Sequence, residues 1–369
     1  MKLNIYNGNV VTGDGETVLE KSSVTVEGAL ISAIQRTPYI TYDDADRLVD
    51  AEDGYIIPGI INAHTHGATL GPFNVFGSPE LPWGRLMRNL DRHLQQGETT
   101  LLVVDGLNTV WETEIVNTRH PINMKTATAH LPSVKKLAQL VDGTGLKERH
   151  MKATVEEMLN LGAVAIGEVG AIGLPLGISE VERRAGRRIS IQDYRKIQAA
   201  LFQNDKGYTP KKLEPKRVGE ALKKISLDGV LKVEEMPGLV DEILSQVKLG
   251  IKGIEEAVRT GKRLGVPVIA HNDPENQKDL LKLAEKFGSC MIAAHCNHLF
   301  QPDEAVKQAQ GLKKAGALLD VYAGDYYGAR QMATSPEATF RLMERGLVDL
   351  ISTDYIAGYW DPILLVLEK

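Results

Sequence analysis

The stretch Gly54-Tyr-Ile-Ile-Pro-Gly-Ile-Ile-Asn-Ala-His64-Thr-His66-Gly67 decides how the chain is read. It places two histidines on alternate positions behind a short apolar run. Side chains of an extended strand repeat every second residue, so His64 and His66 leave the strand on the same side and can grip one object together. The pair alone is weak evidence. With nine histidines in 369 residues, a chance His-x-His arises roughly 0.2 times per chain. Its meaning depends on partners elsewhere.

Before this stretch, residues 1–57 alternate apolar and polar positions between turn signals, in "LNIYNGNVVTGDG", "SSVTVEGALISAIQ" and "RLVDAEDGYIIP". That pattern predicts a small β domain, sandwich-like in character. After it, short apolar runs alternate with helical segments, the pattern of a parallel sheet with crossover helices. Eight runs are expected as strands: Gly59 to His64, Thr99 to Asp105, Lys125 to His130, Ala163 to Glu168, Val266 to His271, Ser289 to His295, Ala317 to Tyr322, and Val348 to Asp354. Eight such units within residues 58–369 predict a (β/α)8 TIM barrel, an α/β fold whose functional groups sit at the C-terminal ends of the strands.

The residues closing the eight runs are His64 with His66, Asp105, His130, Glu168, His271, His295, Tyr322 and Asp354. Packing alone does not select ligand, acid and base types at all these positions. Imidazole nitrogens and carboxylate oxygens together suit divalent transition metals. Four imidazoles and the carboxylates of Glu168 and Asp354 suffice for two ions sharing Glu168, and one ion would need fewer.

Helix signals fix the register. In "HNDPENQKDLLKLAEKFG" Asp273 is expected as N-cap and Pro274 as the first helical residue, while Ser335 and Pro336 repeat the grammar later. The connection from Val169 to about Gly265 is long, an insertion at about 170–265. It should contain helices in "ISIQDYRKIQAALFQ" and "LVDEILSQVKLGIKGIEEAVRTGKRLG". The basic stretch between them is read as solvated and mobile, with a lid or an oligomer contact as the alternative.

Bulk properties exclude several classes. A net charge of −5 gives no general attraction to nucleic acid or anionic membranes, which favours a small-molecule substrate. The N-terminus lacks the apolar core of a signal peptide, and no window reaches the length of a membrane span. A cytoplasmic protein, and a homo-oligomer, is expected. Cys290 and Cys296 are expected as buried thiols rather than a disulfide, with packing favoured over zinc ligation for Cys296.

The ordered set of an N-terminal β segment, "VDAEDGYIIPGIINAHTHG", Glu168 in "AIGEVG", His271, His295 and Asp354 in "LISTDY" resembles the amidohydrolase superfamily over nearly the whole chain. Many members bridge their metals with a carbamylated lysine. The glutamate here is similar to the branch that includes enamidase. The resemblance implies two divalent metals, zinc favoured over iron or manganese. It assigns His64, His66 and Asp354 to one metal, His271 and His295 to the other, and Glu168 as the bridge. It further implies hydrolysis of a C–N bond, most readily in a lactam- or imide-type cyclic amide, with Asp354 as the catalytic proton carrier.

Asp105, His130, His298, Tyr322 and Arg330 are candidates for substrate binding. For Asp105 and His130 a hydrogen bond to a ligand is an equal alternative, and for the tyrosine and arginine packing is the commoner role. His93, His120 and His150 are read as surface residues. Two rival functions are a heterocycle deaminase and a non-catalytic scaffold. The deaminase pattern wants a glutamate three residues after the fifth-strand histidine, where Pro274 stands, and a scaffold would have lost ligands. Only a short segment follows Asp354, so the β domain is expected to be small or incomplete, with a bare sheet edge.

Overall fold

The computed structural model describes residues 1–36, 45–172, 174–202, 208, 211–323, 336–354 and 363–364. The chain divides into two compact units, Met1–Ile60 and Ile61–Lys369.

The first unit is a five-stranded sheet built from β1 (Lys2–Val11), β2 (Val18–Glu27), β3 (Leu30–Gln35), β4 (Arg47–Asp50) and β5 (Tyr55–Ile56). The order is β3-β2-β1-β4, with β5 pairing β1 beyond β4. Asp14 organises the β1–β2 turn, accepting the Glu16 and Thr17 amides on one oxygen and the Thr17 hydroxyl on the other. β3 lies at one edge, and its Leu30, Ile31 and Ile34 are exposed. The short segment after Asp354, on which the expected bare edge rests, lies outside the described residues except for Ile363 and Leu364.

The second unit carries eight strands in sequential order: β6 (Ile60–Thr65), β7 (Glu98–Val103), β8 (Asn123–Thr128), β9 (Ala165–Val169), β10 (Val268–Ala270), β11 (Met291–Ala293), β12 (Leu318–Tyr322) and β13 (Leu350–Ser352). Each overlaps one of the runs expected from the sequence. The registered ladders are parallel. The Asp354 amide donates to the His64 carbonyl at 3.0 Å, bringing the last strand back to the first. This is the TIM barrel. Val104, Ala127, Ala165, Ile269 and Ala294, one from each of five strands or their ends, form one buried cluster. A larger cluster seals strands to helices and includes Ile166, Val268, Ile254, Leu280, Phe300, Leu312 and Leu342. Among the described residues, no helix is long and apolar enough to cross a membrane.

Both helices expected in the insertion are present, while its basic stretch differs from the expectation. Helices span Leu174–Ala185, Ile191–Leu201 and Pro215–Lys224 before the 29-residue helix Met236–Leu264. They enclose a core of their own, with Val181, Tyr194, Ile197, Leu201, Phe202, Val218, Leu222, Leu239 and Ile243 buried together. The basic stretch is therefore not simply solvated. Val218, Ala221 and Leu222 recur at helical spacing and supply the buried stripe, while Lys216, Lys223 and Lys224 of the same helix are exposed. Leu299, in the loop after β11, packs into the same cluster.

Three histidines read as surface residues are buried, each beside a carboxylate: His93 with Glu98, His120 with Asp91, and His150 with Glu112. Helical spacing explains His93, which shares a face with the buried Leu86, Asn89 and Leu90.

Glu112 is the most heavily committed of these carboxylates. It accepts from His150 Nε2, the Thr109 amide and the Arg149 guanidinium. Its packing leaves no room at Gly71, where a Cβ would lie 2.7 Å from Glu112 Oε2. Burial pushes its carboxyl up, but the bonds from His150, Thr109 and Arg149 outweigh it and bring the pKa down to about 2. A depressed carboxylate stabilises the fold above its unfolded pKa and loses that contribution as pH falls through its folded pKa. Glu112→Gln should therefore cost about 1–3 kcal/mol at pH 7. In denaturant titrations at several pH values, its gap from the parent should shrink below about pH 4.5 and close towards pH 2. A gap independent of pH would contradict the assignment.

Candidate metal centre

Six side chains predicted from the strand ends meet at one end of the barrel. His64 and His66 leave β6 on the same face and are both buried. Glu168, on β9, follows Gly167, whose φ is +143°. A Cβ there would lie 2.5 Å from the Ile269 carbonyl oxygen, so only glycine lets β9 approach β10 this closely. His271, His295 and Asp354 each follow the end of their strand. His295 and Asp354 hold positive φ angles of 36° and 41°. Side-chain-bearing residues adopt that conformation at a cost of about 1–3 kcal/mol each, and such strain gathers at functional sites.

Glu168 divides its carboxylate between two histidine pairs. Oε2 lies 3.6 Å from His64 Nε2 and 3.5 Å from His66 Nε2. Oε1 accepts from His271 Nδ1 at 2.8 Å and His295 Nε2 at 3.0 Å. Asp354 Oδ1 completes the first group, 3.5 Å from His64 Nε2 and 3.6 Å from His66 Nε2.

These donors fit a divalent transition metal. Atoms at the corners of a tetrahedron with edges near 3.5 Å are about 2.1 Å from its centre, the bond length of zinc to imidazole nitrogen or carboxylate oxygen. His64 Nε2 and Asp354 Oδ1 are buried and lack a hydrogen-bond partner among the described residues. Polar atoms are rarely left so unless something else satisfies them. The second group offers Glu168, His271 and His295, with ligand atoms within 4.8 Å of one another.

Electrostatics agree with the donor chemistry. Burial pushes the His66 imidazole down, yet Asp105 and Glu168 outweigh it and raise its pKa to about 10. Burial likewise opposes charge on His271, and Glu168 with Asp273 reverses it, holding the ring well above its usual value. Burial also acts to raise Glu168, but His271 and His64 bring its carboxyl well below the ordinary range. Without cations, protons on the histidines balance the buried carboxylates.

Around this group, the remaining candidates take distinct places. Asp105 accepts from His66 Nδ1 at 2.9 Å and from the Gly67 and Asn74 amides, so it orients the ring and aims Nε2 at Glu168. Its Oδ1 takes the His66 ring and the Asn74 amide, and its Oδ2 takes the Gly67 amide. His130 pairs with Thr128, its Nδ1 2.9 Å from the Thr128 hydroxyl. Burial, with Lys135 and His150 nearby, takes its pKa down to about 3. His298 packs its ring 5.1 Å from that of His295, with Nδ1 3.4 Å from the Tyr322 hydroxyl. Burial holds it well below its usual pKa, hence neutral. Arg330 lies outside the described residues.

Two carboxylates escaped the sequence reading. Asp273 is not the helix cap expected. The helix begins at Gln277, and Asp273 instead accepts the Glu275 and Asn276 amides while Oδ2 lies 3.1 Å from His271 Nε2. Asp320, on β12, accepts the His295 amide and the Ser352 hydroxyl and lies 3.9 Å from His64 Nδ1. A lone aspartate inside the apolar run "ALLDVY" was the available signal.

A cation binding to Nε2 of His66 must displace the proton that the raised pKa retains there. Zinc binding should accordingly release about one proton or more per chain at pH 7 and weaken as pH falls. Calorimetric titrations in buffers of different ionisation enthalpy read this directly. Proton-neutral binding would contradict the charge balance described.

In sequence, no protein-family model and no curated protein matches the chain. In structure, it resembles a crystal structure of an amidohydrolase at 14% identity, with a TM-score of 0.52, over 97% of this chain and 79% of the other. It also resembles a Xaa-Pro dipeptidase with bound methionine at 15% identity and a TM-score of 0.51, over 98% and 81% of the two chains. At such identities the likeness shows a shared fold with these two structures.

Proposed function

We propose that the chain is a metal-dependent hydrolase of a C–N bond, with His64, His66 and Asp354 holding one divalent cation, His271 and His295 a second, and Glu168 shared. The division of Glu168 between two histidine pairs carries this reading. Cyclic amides are the preferred substrate class. That preference rests on the resemblance to the glutamate-bridged amidohydrolase branch, and zinc on the nitrogen and oxygen donor set.

When bound, the cations supply Lewis acidity that polarises a carbonyl and acidifies water. The chain's own groups do the rest. Asp105 fixes the His66 ring. Asp354, the most accessible of the site carboxylates at 9% side-chain exposure, takes the proton of the attacking water and returns it to the leaving nitrogen. Neutral His298, joined to Tyr322, offers hydrogen bonding to substrate beside His295 without adding charge.

Changing Glu168 to Ala should remove at least one of two metal equivalents measured by elemental analysis. Retention of both with full activity would refute the bridge. Asp354→Asn separates two roles, because an amide keeps an oxygen donor but cannot carry the proton. The variant should fold and retain metal while kcat falls on the order of 10² to 10⁴. The assay spans lactams, hydantoins, dihydropyrimidines and acyl amino acids. Turnover within a few fold of the parent would exclude Asp354 as the proton carrier.

A further inference from the structure

Below His64, a buried polar network occupies what would otherwise be apolar barrel interior. Asn62 precedes His64 by two residues on β6 and so points to the same side. Its Nδ2 donates to Glu98 Oε2 at 2.9 Å and to Thr353 Oγ1 at 2.6 Å. Its Oδ1 accepts the Thr353 amide at 3.2 Å and the His64 amide at 3.3 Å. Glu98 Oε2 also accepts from His93 Nδ1 at 2.7 Å. Asn62, Glu98, His93 and Thr353 are each fully buried.

Only one orientation of the Asn62 amide is compatible with these neighbours. The opposite flip would set its NH2 against two backbone N–H groups and its oxygen against Glu98. Asparagine at this position therefore uses both halves of its side chain, two donations and two acceptances. Aspartate, nearly identical in shape, would lose both donations and set a second carboxyl against Glu98.

The network reaches the site through one peptide. Thr353 is gripped at both its amide and its hydroxyl, and the next residue, Asp354, stands at φ +41° with its own amide on the His64 carbonyl. A non-glycine residue stays in that conformation only when its surroundings over-determine it.

We propose that Asn62 is the positioning residue for Asp354: it staples β6 to the end of β13 and so sets the carboxylate against His64 and His66. This rests on the metal centre proposed above. The consequence is selective. The Asp354 site should depend on Asn62, while the pair His271 and His295, anchored through Glu168 and Asp273, should not.

The test compares the parent, Asn62→Asp, Thr353→Val and the double variant Asn62→Asp/Glu98→Gln, which exchanges amide and carboxyl across the same contact. Amide hydrogen exchange at Ser352 to Asp354 is read on metal-free protein, and zinc affinity by competitive titration. In Asn62→Asp the exchange should quicken by roughly tenfold or more, and one of two zinc equivalents should weaken by about 10- to 100-fold. The other should hold within a few fold, and the double variant should recover most of both losses. Thr353→Val removes part of the same contact without adding charge, so the comparison survives if Asn62→Asp folds poorly. Unchanged exchange at Thr353 and Asp354 in both single variants would overturn the staple, whatever zinc does. Equal weakening of both equivalents would reduce Asn62 to a general stability role and overturn the proposal. A parent that binds no zinc would refute the metal centre, and the exchange data alone would then decide the staple.

Discussion

The structure depends on a buried carboxylate that cannot be buried alone. Glu168 sits almost wholly out of water on β9. An isolated charge there would cost many kcal/mol or be neutralised by protonation. The chain answers with four imidazoles drawn from three other strand ends, two on each oxygen. A barrel suits this demand because parallel strands deliver their C-terminal ends to one place while the helices stay outside. The centre is therefore a property of the closed barrel, and no single segment could build it.

A second constraint lies in how the ligands are aimed. Asp105 holds His66, Asp273 lies against His271, and Asp320 holds the His295 backbone beside His64. Each is a carboxylate placed behind a ring or its backbone, an arrangement that raises ligand basicity and fixes orientation. His295 and Asp354 pay for their aim in backbone strain, and the seam between β6 and β13 restrains one of them. Barrel closure and site geometry thus share the same hydrogen bonds.

Much of this was legible in the sequence because the barrel converts a one-dimensional regularity into a site. Eight apolar runs could be delimited, and the residue closing each had ligand, acid or base character. His64, His66, Glu168, His271, His295 and Asp354 are among these residues, but so are Asp105, His130 and Tyr322, and the choice of six rested on the family resemblance. What stayed hidden depends on pairing across the sheet. Asp273 looks like a helix cap in sequence because Asp before Pro has two structural uses, and only its distance to His271 selects one. Asn62 lies within the opening motif, yet its partners Glu98 and Thr353 are 36 and 291 positions away. The basic stretch of the insertion misled through its charge, which masked the buried stripe of Val218, Ala221 and Leu222. His93, His120 and His150 misled because a lone histidine carries no sign of the carboxylate it will meet.

The most direct measurement is an anomalous-scattering crystal structure of the protein grown with zinc. Two peaks about 3.5–4 Å apart, flanking Glu168 with one oxygen to each, are the predicted result. His64, His66 and Asp354 should surround one peak, and His271 and His295 the other. A single peak that leaves Glu168 hydrogen bonded to protonated histidines, or zinc bound elsewhere with these six side chains uninvolved, would contradict the account.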